Sequence, residues 1–335
     1  MANTPFYAIP FSGILHAAIL VDNVTHTLIG LGLARAGLAQ RFGRGTTMIL
    51  AVTSNLPDID AACLPFGPLG FLWRRTFSHC LPGGVLLVLA ATLLFRWRYP
   101  QLSFKTVLGL TSLGIAGHVF ADLWNSYGVL LYWPFSARRV SCDWVFILDL
   151  AIWAILGLSL LAARLFRRHE SWFSRGGLCL VAAYLGLCII ASCESRKLLS
   201  AQPVPDGAAS PAFYLYPEPF GPGRFRGVAR ATHNYAIYQI WPFQKRVEIL
   251  ERLDIEEQNP MVAAARRSET GRRLDSFFST PVWRLAADEQ VAIVYGLGFR
   301  SKLFPARVPF VFRVAPDGDV RRAHFPYLLN PPMQP

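Results

Sequence analysis

Gly117-His118-Val119-Phe120-Ala121-Asp122 closes an apolar run that begins near residue 106. Side chains four positions apart share one helical face, so His118 and Asp122 can address a single ion from a helix end. The arrangement recurs upstream. His26 opens one apolar segment, Asp58 and Asp60 end the next, and His79 directly precedes a third. An ionisable group inside or bordering a membrane span is costly and points to function. Six such groups at segment ends predict a metal site at one face of a bilayer.

The composition agrees with a membrane protein that carries a soluble appendage. The 335 residues are 53% hydrophobic and 16% charged, with a mean hydropathy of +0.33. Residues 1–195 hold 14 Lys/Arg and 8 Asp/Glu, whereas residues 196–335 hold 19 and 13. Candidate spans fall at 24–40, 45–57, 80–95, 106–124, 144–164 and 176–193. The last three approach the roughly 20 residues needed to cross a hydrocarbon core. The predicted fold is an all-α polytopic membrane bundle of five or six spans, followed by a small α+β or mostly-β soluble domain. A formal net charge of +12 suits anionic headgroups of the lipid bilayer. Nucleic acid is not an expected partner, because the basic residues of the bundle lie in short loops between spans.

Those loops predict an orientation. Arg35, Arg41 and Arg44, then Arg96, Arg98 and Lys105, then Arg164, Arg167, Arg168 and Arg175 give ten basic residues on one side. The opposite loops carry four: Arg74, Arg75, Arg138 and Arg139. If all six segments cross, the ten-residue side is cytoplasmic, and the His/Asp groups and the C-terminal domain are extracytoplasmic.

Residues 1–20 have no positive n-region and no small-residue cleavage pattern. Val21-Asp22-Asn23 reads as an alternative start, which makes 1–20 a non-native N-terminal extension; a short peripheral segment is the other reading. The remaining divisions are 21–195 membrane-embedded, 196–223 linker and 224–335 soluble domain. Within that domain Tyr235–Ile240, Val291–Tyr295 and Val308–Val314 alternate as strands, with a turn at Pro316–Asp319. An amphipathic helix is expected near 244–257. None of the six cysteines forms a C-x-x-C pair, so zinc-ribbon and dithiol redox chemistry are not indicated. Cys179, Cys188 and Cys193 share one apolar span and read as packing residues.

Asn55-Leu56-Pro57-Asp58-Ile59-Asp60 presents two carboxylates two residues apart where a proline ends a helix. Alone, this is also a helix-terminal turn, and His26 after Thr25 is also a helix-start residue. Snorkelling towards headgroups suits Arg74 and Arg75 better than His79. Mixed imidazole and carboxylate donors fit zinc, with manganese or iron as alternatives. Such an ion can activate water against an ester or phosphoester. The groups cluster at one bilayer level, which favours a site over a proton path. A non-catalytic scaffold or transport component with a structural polar cluster is the competing class.

Together, Asp22-Asn23-Val24-Thr25-His26, Asn55-Leu56-Pro57-Asp58-Ile59-Asp60, Arg75…Ser78-His79 and Gly117-His118…Asp122 resemble the bacterial YdjM-type membrane-bound metal-dependent hydrolases. Asn125-Ser126-Tyr127-Gly128, Trp133-Pro134-Phe135-Ser136, Asp143 and Phe146-Ile147-Leu148-Asp149 extend the resemblance over about 21–160. It implies a multi-pass inner-membrane protein with a divalent-metal hydrolase site acting on a lipid or phosphoester. His26, Asp58, His79, His118 and Asp122 are the expected metal ligands. Asp60 is expected to bridge or act as base, and Arg75 to neutralise an anionic substrate. Asp143 and Asp149 are candidates for orienting an imidazole. One departure stands out. Many family members carry a histidine where Arg74 stands, in a His-Arg-Gly-x-Thr-His pattern. Aromatic residues and arginines around the site (Trp73, Trp124, Tyr132, Trp133, Arg74 and Arg75) read as an interfacial belt, which implies an amphipathic substrate.

Overall fold

The computed structural model describes residues 22–66, 72–203, 212–231, 234–256, 258–286, 291–300 and 311–324. Residues 1–20 therefore lie outside the described residues.

The N-terminal half is helical. Helix α1 (Asn23–Leu33) runs into a π turn at Ala34–Leu38, where Gly37 takes φ 128° and breaks the helical run. Helix α2 (Thr46–Thr53) is only eight residues long and passes into a 3-10 segment, Leu56–Phe66. Helix α3 (Leu81–Arg98) starts with Pro82 in its first turn, and the Cys80 sulfur accepts from the Gly83 amide. Ser103 caps α4 (Phe104–Asp122) through the Thr106 amide. Asp149 caps α5 (Leu150–Leu165) by accepting from Ala151 and Ile152, and α6 (Glu170–Ser200) is the longest helix.

Three of these are long and apolar enough to cross a membrane: α3, α4 and α6 with its preceding turn. Helix α5 is apolar but shorter. The second expected span is an eight-residue helix of about 12 Å, far short of a hydrocarbon core of about 30 Å. Lipid-facing character is plain on α3, where Leu86, Leu93 and Trp97 are 68, 67 and 79% exposed. An apolar surface of that extent in water would be an aggregation hazard; against lipid it costs nothing.

Three basic connections meet at one end of the bundle. Gln101 donates to the Arg44 carbonyl at 3.3 Å, the Arg175 Nε to the Ala36 carbonyl at 2.7 Å, and Arg35 pairs with Glu170 at 3.5 Å. The starts of α1, α3 and α5 and the ends of α2, α4 and α6 lie at the other end.

Beyond α6 the described residues form two four-stranded antiparallel meanders. The first is β1 (Ala212–Pro217), β2 (Phe225–Arg230), β3 (Asn234–Trp241) and β4 (Arg246–Asp254); the second is β5 (Pro281–Ala286), β6 (Val291–Gly296), β7 (Val311–Val314) and β8 (Val320–His324). Helices α7 (Pro260–Arg267) and α8 (Glu269–Phe277) connect them. Tyr235 and Ile237 of β3 meet Val282, Ile293 and Tyr295 between the sheets. The alternate residues Ala236, Tyr238 and Ile240 pack on Leu199 at the end of α6. On the far face, Val262, Leu274 and Phe277 cover Ala292, Val294 and Phe312. The order of layers is thus helix, sheet, sheet, helices. Both faces of β3 and β6 are buried, which accounts for their nearly continuous apolar runs.

The amphipathic helix expected near 244–257 is instead strand β4. Its charged residues alternate with Val247 and Ile249, and the edge of β3 supplies a ladder from Asn234 to Trp241. Charged side chains on an edge strand also discourage further pairing. The strands expected at 235–240 and 291–295 are β3 and β6; of 308–314, residues 311–314 form β7 and 308–310 lie outside the described residues. The stretch read as a linker, 196–223, contains the last turn of α6 and all of β1.

Candidate metal centre

At the bundle end remote from the basic loops, five segments deliver polar side chains to one point. Helix α1 supplies His26 from its first turn, and the turn after α2 supplies Asp58 and Asp60. The loop before α3 supplies Arg74, Arg75, Ser78 and His79, and the last turn of α4 supplies His118 and Asp122. Asn125 and Tyr127 follow in the next loop. His26, Asp60, Arg75, His79, His118 and Asp122 are each at most 1% exposed.

Asp122 is the hub. Its Oδ2 lies 3.0 Å from His79 Nε2 and 3.5 Å from His118 Nε2. Its Oδ1 lies 2.7 Å from the Arg75 guanidinium and 3.3 Å from His26 Nε2. The His26 and His118 rings stack at 3.7 Å.

The tautomers follow from the outer partners. His118 Nδ1 lies 2.7 Å from the Ser54 carbonyl oxygen, which can only accept, so Nδ1 carries the proton. His79 Nδ1 lies 3.3 Å from Asp60 Oδ2 and 3.0 Å from the Ser78 hydroxyl. A proton on Nδ1, held by that carboxylate, leaves Nε2 bare in a neutral ring. The two Nε2 atoms nevertheless face each other at 3.1 Å, beside a carboxylate oxygen. In that state the converging lone pairs repel unless a positive charge sits among them, either a metal ion or a proton on one Nε2 donated to Asp122. A tetrahedral ion with bonds of about 2.0–2.1 Å separates its ligand atoms by about 3.3 Å. The three separations here, 3.1, 3.0 and 3.5 Å, match that edge.

Unmet hydrogen-bonding capacity points the same way. Both ring nitrogens of His26 are buried with no hydrogen bond at normal geometry, and Asp122 meets its neighbours through ion pairs. Three triads offer donor atoms within 4.8 Å of one another: His79–His118–Asp122, His26–Asp58–His118 and Asp22–His26–Asp122. The donor set fits a divalent ion.

Two arginines line this centre, both turned inward rather than snorkelling to headgroups, the competing reading of their position: Arg74 is 3% and Arg75 1% exposed. Arg74 clamps the two carboxylates of the 3-10 turn, donating to Asp60 Oδ1 and, at 2.9 Å, to Asp58 Oδ1. Two buried carboxylates this close need a cation, and the guanidinium reaches both. Arg75 bonds Asn125 at 3.0 Å and lies over the Tyr127 ring. Its backbone holds φ 55°, a left-handed conformation that turns its amide to Asp60 Oδ2 at 2.5 Å.

Asp60 is accordingly surrounded by donors: Arg74, the Arg75 amide, Ser78 at 3.1 Å and His79. Burial alone would raise its pKa, but the hydrogen bond from His79, the charge of Arg74 and the Arg75 amide hold it below the ordinary carboxylate range. Asp58 differs. Its Oδ1 is bound to Arg74 while Oδ2 faces His118 at 4.0 Å, and its side chain keeps 8% exposure.

Asp143 and Asp149 do not reach the centre. Asp143 pairs with Arg196 at 2.7 Å, and Asp149 caps α5 and accepts from Tyr184 at 2.8 Å. Trp124 is buried at 6% exposure rather than in a belt, while Trp73 and Tyr132 are exposed at 46 and 52%. Asp22, Ser54, Ser78 and Asn125 belong to the centre and were not among the expected ligands. Asp22 carried a signal: it stands four residues before His26, the same spacing as His118 and Asp122.

The structure is thus a membrane-embedded helical bundle with a buried His/Asp cluster able to hold a metal at one end and a β-rich domain beyond it. Residues 21–194, more than half of the chain, match the YdjM inner membrane protein family, and the chain belongs to it. It is similar to the uncharacterized protein YfhP of Bacillus subtilis (strain 168), with 30% identity over 129 residues, which are 36% of this chain and 39% of that protein. The chain thus spans well under half the length of that relative. No solved structure matches it.

Proposed function

We propose that the cluster holds one divalent ion, zinc by its donor set, and that the protein is a metal-dependent hydrolase. Its substrate class is an ester or phosphoester of a lipid or envelope compound at the extracytoplasmic membrane surface. The observation that carries this reading is the facing pair of His79 and His118 Nε2 atoms beside Asp122 Oδ2. When bound, the ion polarises an ester or phosphoryl oxygen and lowers the pKa of a coordinated water. The chain's own residues do the rest. Ser54 and Asp60 fix the two imidazoles, and Arg75 with Asn125 fixes Asp122. Arg74 supplies a permanent second positive charge beside Asp58 and Asp60. Asp58, with an oxygen not held by Arg74 and a partly open side chain, is placed to accept a proton; Asp60, saturated by donors, orients His79. The orientation rests on ten basic residues at the opposite end of a five- or six-segment bundle.

Elemental analysis of purified protein tests the ion. Wild type should carry metal that a His118→Ala, Asp122→Ala double variant lacks, and equal, negligible content in both would sink the proposal. One observation favours a structural cluster in a scaffold or transport component instead: Arg74 and Arg75 already neutralise the carboxylates. The two readings part on turnover. A metal-loaded protein that hydrolyses neither lipid nor soluble phosphoesters, yet loses stability on chelation, is the scaffold.

A further inference from the structure

A second polar site lies outside the metal centre, where the loop after α4 faces the C-terminal domain. A cleft of about 390 Å³ opens there, lined by Arg138, Arg139, Arg230, Arg266, Asp275 and Ser276 among others. Its volume is that of a small-molecule site. Four arginines and one aspartate, Asp275, share the lining, and that carboxylate is already engaged. Asp275 Oδ2 pairs with Arg266 at 2.6 Å, and Oδ1 accepts from the Trp283 indole at 2.7 Å.

Among the described residues, neither Arg138 nor Arg139 has a carboxylate partner. Arg138 is exposed. Arg139 is held by its own fold: it donates to the carbonyls of Gly128 at 3.2 Å and Arg74 at 3.1 Å, and lies over the Tyr127 and Phe277 rings. Those two bonds use part of a five-donor fork and fix its plane. Burial lowers its pKa, helped by the nearby Arg75 and opposed by Tyr127 and Asp60. An exposed arginine beside one fixed in its plane, on a cleft of this size, suits an oxyanion, which arginine binds in bidentate fashion.

We propose that this cleft binds a phosphate group, as a phosphomonoester or phosphodiester. Two sources share that chemistry, a lipid headgroup and a soluble phosphate. The surroundings bring lipid within reach. Tyr132 and Phe135, 52 and 88% exposed, project from the same loop, and the Leu81 amide at the start of the α3 span bonds the Leu131 carbonyl at 2.9 Å. The site is independent of whether the His/Asp centre is catalytic.

The test uses full-length protein. Inorganic phosphate is titrated by calorimetry in detergent at constant ionic strength, and retention of phosphatidic acid against phosphatidylcholine is read by native mass spectrometry. Arg138→Ala should weaken binding about tenfold, the equivalent of one lost charge-assisted contact, and Arg138→Lys should recover part of it. Because Arg138 is exposed, an unchanged melting temperature shows that the variant is folded. Retention of phosphatidic acid without phosphate binding upholds the site with a lipid source; phosphate binding alone upholds it with a soluble one. Binding that is identical in wild type and both variants, or absent with both probes, overturns it.

Discussion

His79 and His118 bring their Nε2 atoms to 3.1 Å from each other, each ring held from behind by a protein oxygen, Asp60 for one and Ser54 for the other. In neutral rings protonated at Nδ1 those atoms set lone pair against lone pair, and an ion between them relieves this, so the metal-bound protein should be the more stable form. Saturating zinc at about a hundred times its dissociation constant should stabilise the fold by about 2.7 kcal/mol. Thermal melts with zinc and with chelator measure this. The shift should vanish in His79→Ala and in His118→Ala; its persistence in both would place the ion elsewhere.

Arg74 should behave as a fixed cation. Arg74→Ala leaves Asp58 and Asp60 buried without their counter-charge and should cost about 3–5 kcal/mol, measured by denaturant unfolding in detergent. Arg74→His replaces the charge with a donor atom beside two freed carboxylates. Its metal content should rise from one ion to two per chain. A stoichiometry unchanged from wild type would remove Arg74 from the role of second cation.

Asp60 and Asp149 separate the centre from its scaffold. Asp60→Asn should lower metal affinity by about 10–100-fold through loss of His79 orientation, as for a carboxylate behind a ligating imidazole. Asp149→Asn should leave metal affinity alone, because Asp149 serves the α5 N-terminus. Competitive metal titration of both variants distinguishes the roles, and comparable losses would contradict the assignment.

Docking of the β-rich domain depends on a close approach at Gly227. A Cβ there would stand 2.5 Å from Leu199 at the end of α6 and 2.9 Å from Ile240. Gly227→Val should therefore destabilise by about 1–3 kcal/mol through overpacking. Limited proteolysis should cut the variant faster after residue 200, and wild-type resistance would show that the two parts do not depend on this contact.

The proposed orientation is checked by labelling. A cysteine at Arg168 in a chain cleared of exposed cysteines should resist an impermeant reagent applied from outside. One at Asp317, in the turn before β8, should react. The reverse pattern would invert the topology.

What the chain alone determined is local. Spacing of four placed His118 with Asp122 on one helical face, apolar runs announced the α3, α4 and α6 helices, and alternation marked β3 and β6, because each depends on a repeat within a few residues. The convergence of His26, Asp58, His79 and Asp122 was legible for a related reason: each closes or opens a segment, and segment ends meet at one level. Tertiary structure decided the rest. Only packing shows that Arg74 and Arg75 turn inward, since a basic residue beside an apolar run equally suits a headgroup, and the nearby buried carboxylates of Asp58, Asp60 and Asp122 make the inward position favourable. Asp60 lies behind His79 on its Nδ1 side, and Arg74, the Arg75 amide and Ser78, from a loop some fifteen residues away, fill its remaining acceptor sites. Residues 246–254 became a strand because the open edge of β3 offered a ladder of hydrogen bonds, and a partner brought by folding outweighs a local helical pattern.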